Sequence, residues 1–409
     1  MPLASSLRSS HDFLVENARW LSAGALLTFL SCFGQTFFIS IFAGEIRAEF
    51  GLSHGEWGGI YSLGTTVSAV LMVWSGALTD RFRMRALGAL TLAGLALACL
   101  AMAFNPWVWA LALVVLGLRF FGQGMAGHIA AVGMTRWFQA TRGRALAIAS
   151  LGFSVGEALF PMLFVSLLSV FDWRSLWVVC AVIALAGIPV LLNLLKSERS
   201  PLHTLQSESS TGMDGRHWTR GQALKHPLFW YIAPSVLGPS AFGTAFFFHQ
   251  VHLAKIKGWS HLELVAWFPV FTGSAVIAMI LSGWALDRFG TSRLMPFFQI
   301  PMVAGFLIFA VASNSFAAFF GFVCLALTTG MAATLPAAFW ADSYGTAHIG
   351  AIKALATSAM VLGSAIGPGL TGVLIDFGIG LELQFVYIAG YFLATSILSW
   401  RGVQRYRTS

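Results

Sequence analysis

Two ionisable side chains stand where hydrocarbon would surround them. Arg119 lies in the apolar stretch Val114-Val-Leu-Gly-Leu-Arg119-Phe-Phe-Gly122-Gln123, and Glu157 follows Gly152-Phe-Ser-Val-Gly156. An ionised group inside a membrane helix costs at least about 2.5–3.5 kcal/mol, so each must face a bundle interior and find a partner. Arg119 suits the role of counter-ion to an anionic solute, or of a group that tunes a nearby proton carrier. Its structural alternative is an anchor for backbone carbonyls. Gln123, four residues on, shares the same helix face. A carboxyl group in low dielectric suits loading and release of a proton near neutral pH, which makes Glu157 a proton-coupling candidate. A helix–helix hydrogen bond made while protonated is its bland reading, and an ion pair with Arg119 is open to it. His128, about half a turn round the helix from Arg119, is a further proton candidate or else a packed residue. Gln35 and Gln299 are polar enough to bind a solute or to join helices.

His249 and His252 are three apart, on one face near the end of an apolar run. With no Cys, Asp or Met beside them they read as an interfacial pair or a proton-access vestibule, not as a metal site. The four cysteines, Cys32, Cys99, Cys180 and Cys324, are far apart in apolar runs and read as packing residues. No Gly-Lys-Ser/Thr phosphate loop occurs, so the expected energy source is an ion or solute gradient. Neither a catalytic constellation nor a cofactor is expected.

The elements that must position these residues are long apolar runs. Of 409 residues 57% are hydrophobic and 10% charged, and the mean hydropathy is +0.77, far more apolar than a soluble domain. Runs sufficient for a membrane helix of about 20 residues lie near 20–42, 57–78, 87–104, 107–134, 145–168 and 174–195. They resume near 228–252, 263–286, 294–312, 316–340, 349–374 and 381–400. The expected fold is an all-α membrane protein of twelve transmembrane helices. The 36 Phe and 15 Trp fit its lipid-facing and interfacial positions. Continuous runs exclude a membrane barrel, whose segments would alternate over about ten residues.

Charge gives a direction. With the N-terminus placed in the cytoplasm, only Arg47, Arg174, Lys255 and Lys257 fall in loops on the opposite side, and Arg119 alone stays in a span. Every other Lys and Arg is cytoplasmic, the positive-inside pattern, with both termini on that side. A net charge of +8 spread over loops in this way is not a nucleic-acid surface. The first run is too long for a signal-peptide core and reads as a retained span. The expected organisation is a cytoplasmic segment 1–19, a six-helix half 20–195, a flexible cytoplasmic linker 196–227, a second half 228–400 and a tail 401–409. Pro234, Gly238, Pro239 and Gly243 are expected to interrupt the seventh span, making Pro234 and Pro239 candidates for a gate.

The halves echo each other. Gly76-Ala-Leu-Thr-Asp80-Arg81-Phe82 follows the second run, and Gly283-Trp-Ala-Leu-Asp287-Arg288-Phe289-Gly290 follows the eighth. Repeats of this scale build many secondary transporters, with the solute near the midplane. The paired loops, with Arg83 and Arg85 after the first and Arg293 after the second, resemble the major facilitator superfamily over nearly the whole chain. Arg83 departs from the pattern, standing where a glycine is usual. The resemblance implies two six-helix pseudo-repeats and a conformational latch at Asp80, Arg81, Asp287 and Arg288. Arg119 with its glycines is similar to the arginine–glycine motif of the family's fourth helix. Arg136-Trp137-Phe138, Arg142-Gly143-Arg144 and the stretch Phe248–His252 resemble its bacterial monocarboxylate and organic-anion branch. Pro161, standing apart from Gly156, departs from the Gly-Pro pair of drug–proton antiporters. The resemblance implies a proton-coupled symporter for a small organic anion, working by alternating access as a monomer in a bacterial inner membrane. Its rivals are uptake of a planar nutrient such as riboflavin, efflux of amphiphiles, and a non-transporting sensor or assembly factor. A sensor would be expected to carry a larger cytoplasmic domain than the linker provides.

Overall fold

The computed structural model describes residues 2–76, 78–138, 141–197 and 211–407, and every regular element among them is helical. Helix α1 spans Pro2–Leu30 and gives way to a tight turn, Ser31–Gly34, and a short helix, Thr36–Ile39. α2 is Ala43–Phe50, α3 His54–Ser75 and α4 Met84–Phe104. α5 (Leu111–Leu118) passes through a wide π-helical stretch, Arg119–Ala126, into α6 (Gly127–Trp137). α7 (Arg142–Leu167) and α8 (Trp173–Leu194) follow. After the linker come α9 (Pro227–Phe248), α10 (Gln250–Lys257), α11 (Phe268–Phe289), α12 (Ile300–Val311), α13 (Ser315–Ala332), α14 (Leu335–Tyr344), α15 (Ile349–Asp376) and α16 (Leu381–Arg407).

Each of the twelve expected runs is mostly helical, with turns at 266–267, 295–299 and 333–334. Among the described residues seven stretches are long and apolar enough to cross a membrane, and an eighth is formed if the first span is counted across its 46° bend. The other four runs are α3, α9, α12 and α15. Gly, Ser and Thr dilute the apolarity of α3, Pro234 and Pro239 that of α9, and α12 has only 12 residues. Charge is excluded from all twelve runs except near their ends, where Lys353 stands, and at Arg119 and Glu157.

Two compact units result. One comprises residues 1–39 and 63–205, the other 40–62 and 206–409. The end of the first span and the start of the second, Ser40 to Ser62, thus group with the second six-helix half.

Inside each unit, helices meet at glycines. Gly152 of α7 lies against the Ala25 carbonyl of α1, where a side chain would collide, and Thr28 Oγ1 donates to the Ala149 carbonyl at 2.5 Å beside it. Gly367 of α15 lies in the same way against the Ala241 carbonyl of α9, next to a 2.6 Å bond from Ser240 Oγ to Met360 O. Lipid tails give helices no hydrophobic reason to associate, so close backbone contact and interhelical hydrogen bonds must hold them.

The repeat is finer than the Asp-Arg loops. Gly51-Leu-Ser53-His-Gly-Glu56 and Gly258-Trp-Ser260-His-Leu-Glu263 stand 207 residues apart, the offset that also separates Asp80 from Asp287. Each glycine ends a short helix in the left-handed region, Gly51 at φ 63° and Gly258 at φ 68°. Each serine then forms a reciprocal cap with its glutamate. Ser53 N donates to Glu56 Oε2 at 2.8 Å and Glu56 N to Ser53 Oγ at 3.1 Å, and the Ser260–Glu263 pair repeats both distances.

Two expectations are corrected. α9 runs unbroken through Pro234 and Pro239, and the seventh span breaks later, at His249 (φ −96°, ψ 18°). The same stretch packs closely: Tyr391 Oη donates to the Pro234 carbonyl at 2.7 Å, and Gly238 lets the rings of Tyr391 and Phe392 approach. The linker is also shorter than the polar stretch 196–227. Residues 198–210 lie outside the described ones, but from 211 onward the chain is folded onto the second unit. Trp218 is buried, its backbone N–H donates to the Tyr344 carbonyl at 3.0 Å, and Arg216 stacks on its ring. One tryptophan outweighs the polar residues around it.

Two outcomes test this architecture. Gly34→Ala should lower stability by about 1–3 kcal/mol, because its methyl group would strike the Leu118 carbonyl and Gly122 Cα; a thermal melt in detergent reads this. Trp218→Ala should free the segment it anchors, raising tryptic cleavage at Arg216, Arg220 and Lys225 severalfold while the helices still fold.

Candidate functional site

Arg119 is 1% exposed. It opens the π-helical stretch Arg119–Ala126, whose widened turn displaces it from the regular helical ladder. Its Nη1 donates to the Gly34 carbonyl at 3.1 Å and to Thr36 Oγ1 at 3.2 Å. These acceptors flank the break in the first span, where Gln35 is extended (φ −86°, ψ 152°). A break leaves carbonyls without helical donors, and in hydrocarbon they must be satisfied from within the protein. The guanidinium supplies that need. Gly34 and Gly122 meet backbone to backbone beside it, which is why neither carries a side chain.

Glu157 comes to the same stretch from α7. Gly156 is packed against Cys32 Sγ, the Cys32 thiol donates to the Phe153 carbonyl at 3.6 Å, and Glu157 is close enough to act on that thiol electrostatically. Arg119 and Glu157 thus converge on residues 31–36 from two different helices. Gln35 lies half-buried in the break itself, whereas Gln123 is exposed.

His128 is placed elsewhere. A ring nitrogen pairs with the Gly76 carbonyl at 3.2 Å, and Arg136 Nη1 donates to the Thr79 carbonyl at 2.5 Å. Both hold the first Asp-Arg loop. Arg81 is exposed there, as are Asp287 and Arg288 in the second copy, and the side chain of Asp80 lies outside the described residues. In the second unit Gln299 is fully buried and accepts from Thr395 Oγ1 at 3.1 Å, while its Nε2 has no acceptor among the described residues.

Hydropathy does not disclose what the end of the seventh span meets. A ring nitrogen of His249 pairs with the Pro368 carbonyl at 3.1 Å, and Gln250 Nε2 donates to Ser40 Oγ at 2.7 Å. His54 reaches His252, ring centroids 4.1 Å apart. Asp376, at the end of α15, accepts from the N–H groups of His54 (3.1 Å) and Gly55 (2.7 Å), a carboxylate on the N-terminus of α3. More than 300 residues separate these partners, and no spacing rule connects them. Among the described residues no group of three His, Cys, Asp or Glu has the arrangement to hold a metal ion.

This architecture has known counterparts. Among curated proteins none matches the chain. Solved structures do. A bacterial homologue of the human lysosomal transporter Spinster, in an inward-facing and unoccupied conformation, is similar at TM-score 0.71 and 16% identity, covering 96% of this chain and 98% of that one. The nucleoside transporter NupG is similar at TM-score 0.72 and 13% identity, covering 95% of this chain and 99% of that one. At such identities the likeness is one of fold. The sequence itself matches the family model of the Major Facilitator Superfamily over residues 24–368. With that match spanning most of its length, and with paired Asp-Arg loops at one offset in two helical units, the chain belongs to the major facilitator superfamily and is a multi-pass membrane transporter of small solutes.

Proposed function

We propose that this transporter is a proton-coupled porter for a small organic anion of the monocarboxylate type, working by alternating access. The observation that carries the reading is the convergence of Arg119 and Glu157 on the break of the first span. A positive group bound to a backbone break answers an anionic solute. An acid on the neighbouring helix can cancel or restore negative charge there by taking up a proton. Coupling follows if the anion and the proton stabilise the same arrangement of residues 31–36, since a ligand shifts an equilibrium only by its differential affinity for the two states.

The remaining residues take roles around this centre. Gln35 and Gln123 offer polar contacts to the solute, and Gln299, within the second unit, has a buried amide donor with no acceptor among the described residues. The loops at Asp80–Arg81 and Asp287–Arg288 act as latches. His128, bonded to Gly76, links the first latch to the arginine helix. Pro234 and Pro239 make α9 pliable without breaking it. Loop charge supports cytoplasmic termini, and the membrane proposed is a bacterial inner membrane. Each half supplies its own helix contacts, which suits a working monomer.

Uptake of a carboxylate panel and of riboflavin into proteoliposomes, with and without a pH gradient, tests the reading. An inward gradient of one unit is worth about 1.4 kcal/mol, about tenfold accumulation for one proton per anion. Carboxylate uptake indifferent to the gradient would sink the coupling, and riboflavin uptake alone would replace the substrate class. Glu157→Gln should abolish gradient-driven accumulation while leaving anion exchange intact. Arg119→Gln should reduce both transport and stability, because hydrogen bonds to a charged group contribute about 1.5–3 kcal/mol each. Arg119→Lys should recover only part of either, since an ammonium lacks the planar donor fork.

A further inference from the structure

In the second unit, α2, the first turn of α3, the end of α9 and α10 line an open cavity of about 600 Å³. Its polar lining is basic: Arg47, His54, His249, His252 and Lys255. Its aromatic wall is Trp57 and Phe248, stacked at 5.8 Å between centroids and 22° between planes. Among the described residues no carboxylate lines it. Asp376 is the nearby acid, and its two oxygens are committed to the N–H groups of His54 and Gly55. Glu56 is committed to Ser53. Arg47 keeps its Nε on the Leu52 carbonyl at 3.2 Å, which holds the side chain at the cavity edge. Trp57 is 1% exposed, and its Nε1 donor meets no acceptor among the described residues.

A buried donor without an acceptor costs about 1–3 kcal/mol, and a concentration of positive charge beside it is costly as well. One ligand relieves both: an anion with two acceptor oxygens and a flat or apolar body. We propose that this cavity binds small aromatic or apolar carboxylates, with Arg47 and Lys255 holding the carboxylate and Trp57 and Phe248 receiving the body. Its residues belong to the second unit, whereas Arg119 and Glu157 belong to the first. It rests on the anion-porter reading only for its purpose, as a place where the solute is first held.

Protons should enter this binding. His54 is faced by Arg47 from α2, by His249, His252 and Lys255 from the α9–α10 segment, and by Asp376 from α15. Burial, and after it His252 and Arg47, push its pKa down to about 4. A bound carboxylate favours the protonated imidazole and raises that value. Binding therefore takes up a proton wherever pH lies between the free and bound values, and affinity rises as pH falls through that window.

The test is direct binding of benzoate to the full-length protein in zwitterionic nanodiscs, by calorimetry at about pH 7.5 and about pH 5.5. Benzoate should bind more tightly at the lower pH. Arg47→Gln and Lys255→Gln should each weaken it about tenfold, the scale of one lost charge-assisted contact, with the helical content unchanged. Trp57→Leu should weaken benzoate more than acetate. Inorganic phosphate binding as tightly as benzoate would overturn the carboxylate assignment. Nanodiscs with anionic lipid that abolish benzoate binding would make the occupant a headgroup and overturn it too. Full affinity retained in the Arg47→Gln, Lys255→Gln double variant would overturn the site. Because binding is read without transport, loss of proton-driven uptake in liposomes leaves this result standing, and loss of binding leaves the uptake result standing.

Discussion

The carbonyl of Gly34 is the point on which the first unit depends. A span that breaks inside hydrocarbon exposes backbone acceptors that neither lipid nor its own helix can satisfy. Arg119 reaches this carbonyl and Thr36 at once, and the arrangement requires three further features. The arginine helix widens into a π-helical stretch from Arg119. Gly34 and Gly122 surrender their side chains so that the two backbones touch. α7 carries Gly152 and Gly156 so that it can approach the same span and bring Glu157 beside it. The charge that is most expensive in the membrane is thus the one that makes the break possible.

The second unit uses the same physics with other residues. Its break falls at His249, whose imidazole pairs with the Pro368 carbonyl of α15. Gly363 and Gly367 admit α9 against α15. The unit also holds the segment Ser40–Ser62, through Ser40 on Gln250 and Phe247, and through Asp376 on the N-terminus of α3. Only the last is a full charge, and it contacts backbone N–H groups. Contacts of that kind form and release without stranding a second charge, unlike a buried ion pair.

Several candidate residues acquire definite positions here. His128 is tied to the Gly76 carbonyl in the loop that carries the first Asp-Arg pair. Gln299 is deep in the second unit, and Gln123 is exposed. The linker is short because Trp218 has a buried seat against Tyr344. Composition counts the polar neighbours of such a residue and misses the one side chain whose burial decides the segment.

Twelve helical runs, their basic loops and the 207-residue repeat are legible in the sequence because each depends on local periodicity or on residues close in the chain. The Gly-x-Ser-His-x-Glu motif is legible too, since a helix cap needs only residues three apart. That Arg119 and Glu157 need partners also follows from the sequence, because the cost of an ion in hydrocarbon does not depend on the fold. Which partners they take does not follow. Gly34 lies 85 residues from Arg119, and His54 lies more than 300 from Asp376. Pairings at such distances are set by how helices cross, and only the tertiary structure decides that. The same holds for the basic cavity: Arg47, His54, His252 and Lys255 are ordinary at the ends of their own helices, and become a site only where the packing of those helices leaves space between them.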